Sequence, residues 1–253
     1  AEEAVEMLAS RLDGRSGRSE VLERGYPGYD TSVGWFEFST GEVLEKARSA
    51  VDQGFSAVKL KVGGADSRRD IDRALRLREA MGPDIRIMLD ANQQWSLPRA
   101  IDVCGELAAM DPYWIEEPTH PDDVFAHREL ARAIAPVRLA AGEAVPNRVI
   151  FKNLLQADAM HFVQVDATRV GGVSEFITVS LLARKYGKPV VPHVGDMGQI
   201  HQHLVLFNRV ALGHEEVFLE YIPHLRDHFT EPARVEGGRY RVPTAPGSSS
   251  DLR

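Results

Sequence analysis

The sequence predicts an α/β protein built as a TIM-type (β/α)8 barrel, and three observations carry that prediction. From Thr31 onward, short β-rich runs alternate with amphipathic helical runs; the strand-like runs number eight; and each is apolar throughout. Strands without polar alternation are those buried on both faces, as in a parallel sheet covered by crossover helices. A doubly wound open sheet would show the same alternation. Eight strands in a chain of 253 residues favour closure into a barrel.

In order, the strand-like runs are Ser32–Phe38, Ala57–Val62, Ile85–Leu89, Tyr113–Glu116, Val137–Ala141, Phe162–Val165, Pro189–Pro192 and Val217–Leu219. Helical patterns lie between them at Gly41–Gln53, Arg69–Met81, Leu97–Met110, Asp122–Ile134, Asn147–Leu155, Val173–Tyr186 and Gln199–Val210. Ser96-Leu97-Pro98 reads as an N-cap with proline in the first turn, and Gly54, Gly82 and Gly187 stand where helices stop. Ahead of the barrel, residues 1–25 read as an acidic helical stretch followed by a Gly/Arg/Ser-rich linker, Asp13–Ser19. The barrel is expected over residues 26–222, and residues 223–253 form a Pro-, Gly- and Ser-rich C-terminal extension.

The formal charge of −7 argues against nucleic acid or an anionic membrane as partner, because there is no basic surplus to neutralise phosphates. The single cysteine, Cys104, lies in a helical pattern and has no partner for an internal disulfide, which fits a reducing compartment. No apolar run is long enough for a bilayer, and the opening residues carry acids where a leader peptide needs bases. A soluble cytoplasmic protein is expected.

Catalytic groups of such barrels stand at the C-terminal ends of the strands. Reading those positions gives Lys59 and Lys61, Asp90 followed by Asn92, Glu116, Glu143, Asp166, His193 and Glu220. Asp90, Glu116 and Glu143 end neighbouring strands, so their oxygens can converge on one hard cation; an all-oxygen set suits Mg²⁺ rather than Zn²⁺. Lys59 and Lys61 point to the same face of their strand. Two adjacent ammonium groups disfavour each other's charge, which is expected to bring a lysine towards the pKa of a working base. Asp166 and His193 end adjacent strands, the spacing of a carboxylate–imidazole pair. A base on each side of a metal-bound substrate suits removal of a proton next to a carboxylate. Singly, each residue has a plainer reading: a half-exposed strand for Lys-x-Lys, a helix start for Glu116-Glu117-Pro118, a turn cap for Asp166, a core histidine for His193. Their conjunction in barrel order outweighs these. His201 and His203, two apart on a helix, face different directions and do not suggest paired metal ligation.

Several segments resemble the mandelate racemase subgroup of the enolase superfamily: Val58–Gly63, Leu89–Gln93, Trp114–Pro118, Gly142-Glu143, Val165-Asp166 with Arg169–Val173, and Pro192-His193. The resemblance implies a (β/α)7β barrel, with Lys61 as base assisted by Lys59, Asp90, Glu116 and Glu143 as Mg²⁺ ligands, Asp166–His193 as acid/base dyad, and Glu220 bonding the substrate carboxylate. Within that subgroup Tyr26–Ser32, Glu117–Asp123, Asn147–Lys152 and Tyr221–Leu225 look most like the L-fuconate dehydratases and related acid-sugar dehydratases. That likeness implies abstraction of the proton at carbon two by Lys61 and help from His193 as the carbon-three hydroxyl leaves, yielding a 2-keto-3-deoxy acid. Tyr29, Asn92 and Asp196 are then candidate substrate contacts, and a closed homo-oligomer is expected. The stretch His193–Gln199 departs from the glycine-rich, cysteine-containing segment of those enzymes. The family's N-terminal capping domain is absent from this sequence; the C-terminal extension is expected to pack towards it, and a bare barrel is expected to hold Mg²⁺ yet turn over poorly. The rival readings are a racemase or epimerase on the same barrel and, of another class, a non-catalytic barrel that binds metal or a metabolite.

Overall fold

The computed structural model describes residues 2–10 and 15–253. Six strands lie side by side in sequence order, each parallel to the next: β1 (Tyr26–Gly34), β2 (Ala57–Lys61), β3 (Arg86–Asp90), β4 (Trp114–Glu116), β5 (Leu139–Ala141) and β6 (Phe162–Val163). Val190 extends the row through a parallel bridge to Val163, and β7 (Leu219–Tyr221) returns to pair with β1, placing Tyr29 opposite Glu220. A backbone bond of 2.8 Å from Gly195 N–H to the Glu220 carbonyl joins the two ends. The last strand meeting the first makes a closed barrel, not an open sheet.

The crossover helices are α3 (Thr40–Asp52), α4 (Ser67–Met81), α5 (Leu97–Leu107), α6 (Val124–Ala133), α7 (Arg148–Gln156), α8 (Val173–Lys185) and α9 (Ile200–Phe207). Their starts are written locally: Ser39 and Glu42 form a capping box on α3, and Asp66 and Asn147 accept from the first-turn amides of α4 and α7. Ser96 holds the N-cap of α5 without a side-chain bond. Inside the barrel Tyr29, Met88, Trp114, Phe162 and Phe218 pack together, with the Tyr29 ring edge-on to Trp114 at 5.6 Å. Burying a ring the size of Trp114 removes on the order of 200 Å² from water, a contribution of about 5 kcal/mol.

Three expectations change. The first strand begins at Tyr26 and ends at Gly34, while residues 36–38 turn towards α3. Pro27 stands second in the strand, near its start, where proline's missing N–H is tolerated. Pro189–Pro192 forms a bridge and no strand, because two prolines remove half of its ladder donors. Residues 13 and 14 of the expected linker lie outside the described residues, and its remainder begins a helix, α2 (Arg15–Arg24), after α1 (Glu2–Ala9). The C-terminal extension contains a hairpin, β8 (Val235–Glu236) and β9 (Arg239–Tyr240); β9 pairs antiparallel with Tyr26 and Pro27, so the described hairpin packs on the barrel wall itself. No helix among the described residues is long and apolar enough to cross a membrane.

Candidate active site

The parallel register sets the site. Lys61 pairs with Asp90 and Asp90 with Glu116, so three adjacent strands deliver their terminal side chains at one height. The turns beyond β3 and β4 are clipped together: Gln93 N–H donates to the Glu117 carbonyl at 2.7 Å, and its side-chain amide donates to Glu117 Oε2 at 2.5 Å. Asn92, Gln93 and Glu117 all hold positive φ, local strain of the kind that collects at functional sites. Beyond β5, Gly142 at φ 136° turns the chain towards Glu143; a Cβ there would stand 2.8 Å from the Phe151 ring.

The buried Lys59 ammonium lies 2.6 Å from Glu220 Oε1, 2.9 Å from Glu116 Oε1 and 3.3 Å from Asp90 Oδ2. Burial opposes its charge, but these carboxylates outweigh burial and hold Lys59 well above the ordinary lysine pKa. This reverses the expectation that neighbouring ammonium groups would lower it: Coulombic attraction over about 3 Å exceeds repulsion between the two lysines. Lys61 Nζ donates to Asp90 Oδ2 at 2.5 Å and lies 5.4 Å from the centre of the Trp35 ring. Glu220 is fixed by Thr31 Oγ1 at 2.6 Å and by Val194 N–H at 3.1 Å.

Across the mouth, His193 Nδ1 lies 2.9 Å from Asp166 Oδ2, and Thr168 donates both its amide and hydroxyl to Asp166 Oδ1 at 2.7 Å. Burial pushes the Asp166 carboxyl up, but these hydrogen bonds bring it down to about 2. Burial likewise works against a charged His193, yet the bond to Asp166 and the fields of Glu220 and Glu143 raise its pKa above the usual histidine value. The imidazole Nε2 is directed towards Glu143 at 3.4 Å.

Asp90 and Glu116 are brought together, whereas Glu143 pairs with Arg169 at 3.0 Å. Among the described residues no three acids or histidines stand as a ready-made chelating group. The reason is visible in the contacts: lysine and arginine cations occupy the carboxylate oxygens. The donor chemistry nevertheless fits a hard divalent cation. Burial, then Asp90, pushes Glu116 up to about 8; burial, then Glu143, pushes Glu117 up to about 7, and buried Glu117 Oε1 has no hydrogen-bond partner. The resident cations thus leave negative charge uncompensated, which an ion held by Asp90, Glu116 and Glu143 would relieve.

Of the expected substrate contacts, part-buried Asn92 stands at the mouth beside Asp90, to which its N–H donates at 3.0 Å. Tyr29 does not face the mouth. Its fully buried ring belongs to the barrel interior, with Lys59 Nζ 5.4 Å from its centre, because β1 starts earlier than expected. Asp196 also turns inward, accepting from Ile222 N–H at 2.8 Å and Tyr240 OH at 3.4 Å; burial lifts its carboxyl to about 7. Sequence reasoning missed Trp35 over Lys61, Trp114 (Nε1 donates to Glu116 Oε2 at 3.1 Å), the Gln93–Glu117 clip and His201. Gln164 was missed too. It is fully buried with both amide atoms unpartnered, and its strand parity with Asp166 was the available signal.

A parallel barrel with carboxylates, paired lysines and an imidazole–carboxylate couple at one mouth is the architecture of the enolase superfamily. The chain belongs to the family described as enolase C-terminal domain-like, whose model matches residues 42–253. It is 38% identical over 259 residues to Mitochondrial enolase superfamily member 1 of Homo sapiens, spanning 100% of this chain and 58% of that protein. It is also 38% identical over 262 residues to L-galactonate dehydratase of Hypocrea jecorina, with the same 100% and 58% coverage. The crystal structure of the human protein superposes with a TM-score of 0.92 at 37% identity, over 100% of this chain and 58% of that one. L-talarate/galactarate dehydratase from Salmonella typhimurium LT2, liganded with Mg and L-lyxarohydroxamate, superposes with a TM-score of 0.82 at 33% identity, over 90% and 56% of the two chains. The chain therefore spans less than two thirds of each of these relatives.

Proposed function

We propose that this barrel is the catalytic part of a Mg²⁺-dependent acid-sugar dehydratase, acting on an acid of the L-fuconate or L-galactonate type. The observation that carries the reading is the pairing of two unlike side chains at one mouth: Lys61 beside the Asp90–Glu116 carboxylates, and His193 bonded to Asp166, which raises its pKa. Relatives named as L-galactonate and L-talarate/galactarate dehydratases, the latter with Mg and a sugar-acid analogue bound, support the substrate class and the metal.

Held by Asp90, Glu116 and Glu143, Mg²⁺ would supply positive charge to the substrate carboxylate as electrons move onto it. Lys61, in its amine form, takes the proton from carbon two. The electron pair left behind expels the carbon-three hydroxyl, which collects the Nε2 proton of His193 and departs as water. The resulting enol becomes the 2-keto-3-deoxy acid. Lys59 stays charged and holds Glu116 and Glu220 in place, with Glu220 oriented to bond the substrate carboxyl group. A histidine whose pKa is raised by its carboxylate partner suits departure of a hydroxyl better than the second base that a racemase needs.

The test is a panel of sugar acids, L-fuconate and L-galactonate among them, assayed for 2-keto acid with the full-length protein in Mg²⁺. Keto acid should form, and Lys61→Ala should lower kcat about 10³-fold. Isomerised acid with no keto product, or an unchanged rate in Lys61→Ala, would contradict the reading.

A further inference from the structure

We propose that His201 is a positioning residue that fixes the Asp166–His193 pair by bridging the two loops that carry it. The role of that pair rests on the function proposed above; the bridge itself rests on geometry. His201 lies in the first turn of α9, and its ring is completely buried, tilted 31° against Phe176 at 5.9 Å. Its Nε2 accepts from Ala167 N–H at 2.8 Å, and its Nδ1 lies 2.7 Å from the Val194 carbonyl. Ala167 directly follows Asp166, and Val194 directly follows His193. One ring thus ties together the next residue along from each member of the dyad.

These two bonds select one protonation state. A carbonyl requires a hydrogen on Nδ1, and an amide N–H requires a bare Nε2, so the ring is neutral with its proton on Nδ1. Burial acts in the same direction, lowering the pKa of His201. An imidazolium would lose the Ala167 bond.

The Val194 end explains why such a tie is needed. Val194 has φ 47°, a left-handed conformation that a β-branched side chain strongly resists. Both of its backbone polar groups are held: the N–H by Glu220 Oε2 at 3.1 Å and the carbonyl by His201. With the strained residue held at both ends, the chain at His193 is turned so that Nδ1 reaches Asp166 at 2.9 Å. The local sequence makes room for the ring. At Gly198 a Cβ would stand 2.8 Å from His201 Nδ1, so the residue beside the imidazole has no side chain. This is the stretch, His193–Gln199, in which the sequence departs from the fuconate dehydratase pattern. His201 supplies the rigidity of the turn from the following helix.

The experiment is an NMR spectrum of ¹⁵N-labelled protein at one fixed pH, run on wild type, His201→Phe, His201→Asn and His201→Gln, with kcat and KM measured beside it. His201→Phe keeps the ring volume and loses both bonds. In it the low-field Nδ1–H signal that reports the His193–Asp166 hydrogen bond should broaden or disappear. Its kcat should fall about 10²-fold while KM stays within about threefold. Asn keeps a donor for Val194 and Gln an acceptor for Ala167, so each should restore part of that signal and part of kcat. An unchanged His193 Nδ1–H signal in His201→Phe overturns the proposal. Should that variant not fold, a wild-type signal and rate in both His201→Asn and His201→Gln overturns it equally. The spectrum needs no substrate. If no sugar acid is turned over by wild type, the functional reading falls while the role of His201 is still decided.

Discussion

Lys59 is the cation on which the acidic side of the site depends, and replacing it with methionine tests that directly. Lys59→Met keeps the apolar stem and removes the ammonium that lies 2.6, 2.9 and 3.3 Å from three different carboxylates. Removing one partner of a single buried ion pair costs about 3–5 kcal/mol, because the other charge is left uncompensated. Here Asp90, Glu116 and Glu220 are stranded together, so the upper end applies, about 5 kcal/mol. At ~2–4 °C per kcal/mol for a chain of this size, the melting temperature should drop by roughly 10–20 °C. The deficit must also depend on pH. Without the ammonium the buried acids bind protons more tightly in the folded state than in the unfolded chain, so stability falls as pH rises through that interval. The assay is urea denaturation in EDTA at pH 5 and pH 8, repeated with Mg²⁺. The deficit should be small at pH 5, full at pH 8, and partly recovered by the ion. A loss below about 1 kcal/mol at pH 8, or an equal loss at both pH values, would refute the electrostatic reasoning.

Two further outcomes follow from the same charges. In the chelated wild-type protein, Glu116 and Glu117 have folded pKa values raised to about 8 and about 7, so stability should decline as pH rises from about 4.5 to 8, and Mg²⁺ should flatten the decline; denaturant midpoints against pH, with and without the ion, check this. Asp166→Asn removes the carboxylate that raises the His193 pKa; because the proton donor is lost as pH rises through that pKa, the alkaline limb of the pH–rate profile should move to lower pH and kcat should fall about 10³-fold, whereas an unmoved limb would separate His193 from the rate.

Much of the site could be read before any coordinates because barrel geometry converts sequence order into spatial order. Two-residue alternation sends Lys59 and Lys61 to one face, and the ends of β3 and β4 put Asp90 beside Glu116. Strand alternation does not carry distances. It brought two ammonium groups together and suggested mutual depression, whereas Glu116 at 2.9 Å and Glu220 at 2.6 Å, the latter reaching Lys59 only when the barrel closes through β1 and β7, reverse the sign. The Pro189–Pro192 run illustrates a second limit: its apolar character marks its place in the ring, but its missing N–H groups leave a bridge instead of a ladder. Tyr29 was a candidate substrate contact through the resemblance of Tyr26–Ser32, and with its strand started six residues late its place inside the barrel was not visible. His201 was weighed only against another histidine on its own helix, and its partners, Ala167 and Val194, come from two loops distant in sequence.

The central claim is that Asp90, Glu116 and Glu143 hold one divalent ion between Lys61 and His193. Calorimetric titration of the chelated full-length protein with Mg²⁺ tests it most directly, comparing wild type with Lys61→Ala, Glu116→Gln and Glu143→Gln. The account predicts one Mg²⁺ per chain in wild type, binding retained in Lys61→Ala, and affinity reduced at least ~10-fold in each glutamine variant. Undiminished binding in both glutamine variants would mean that the ion, if it binds, sits elsewhere.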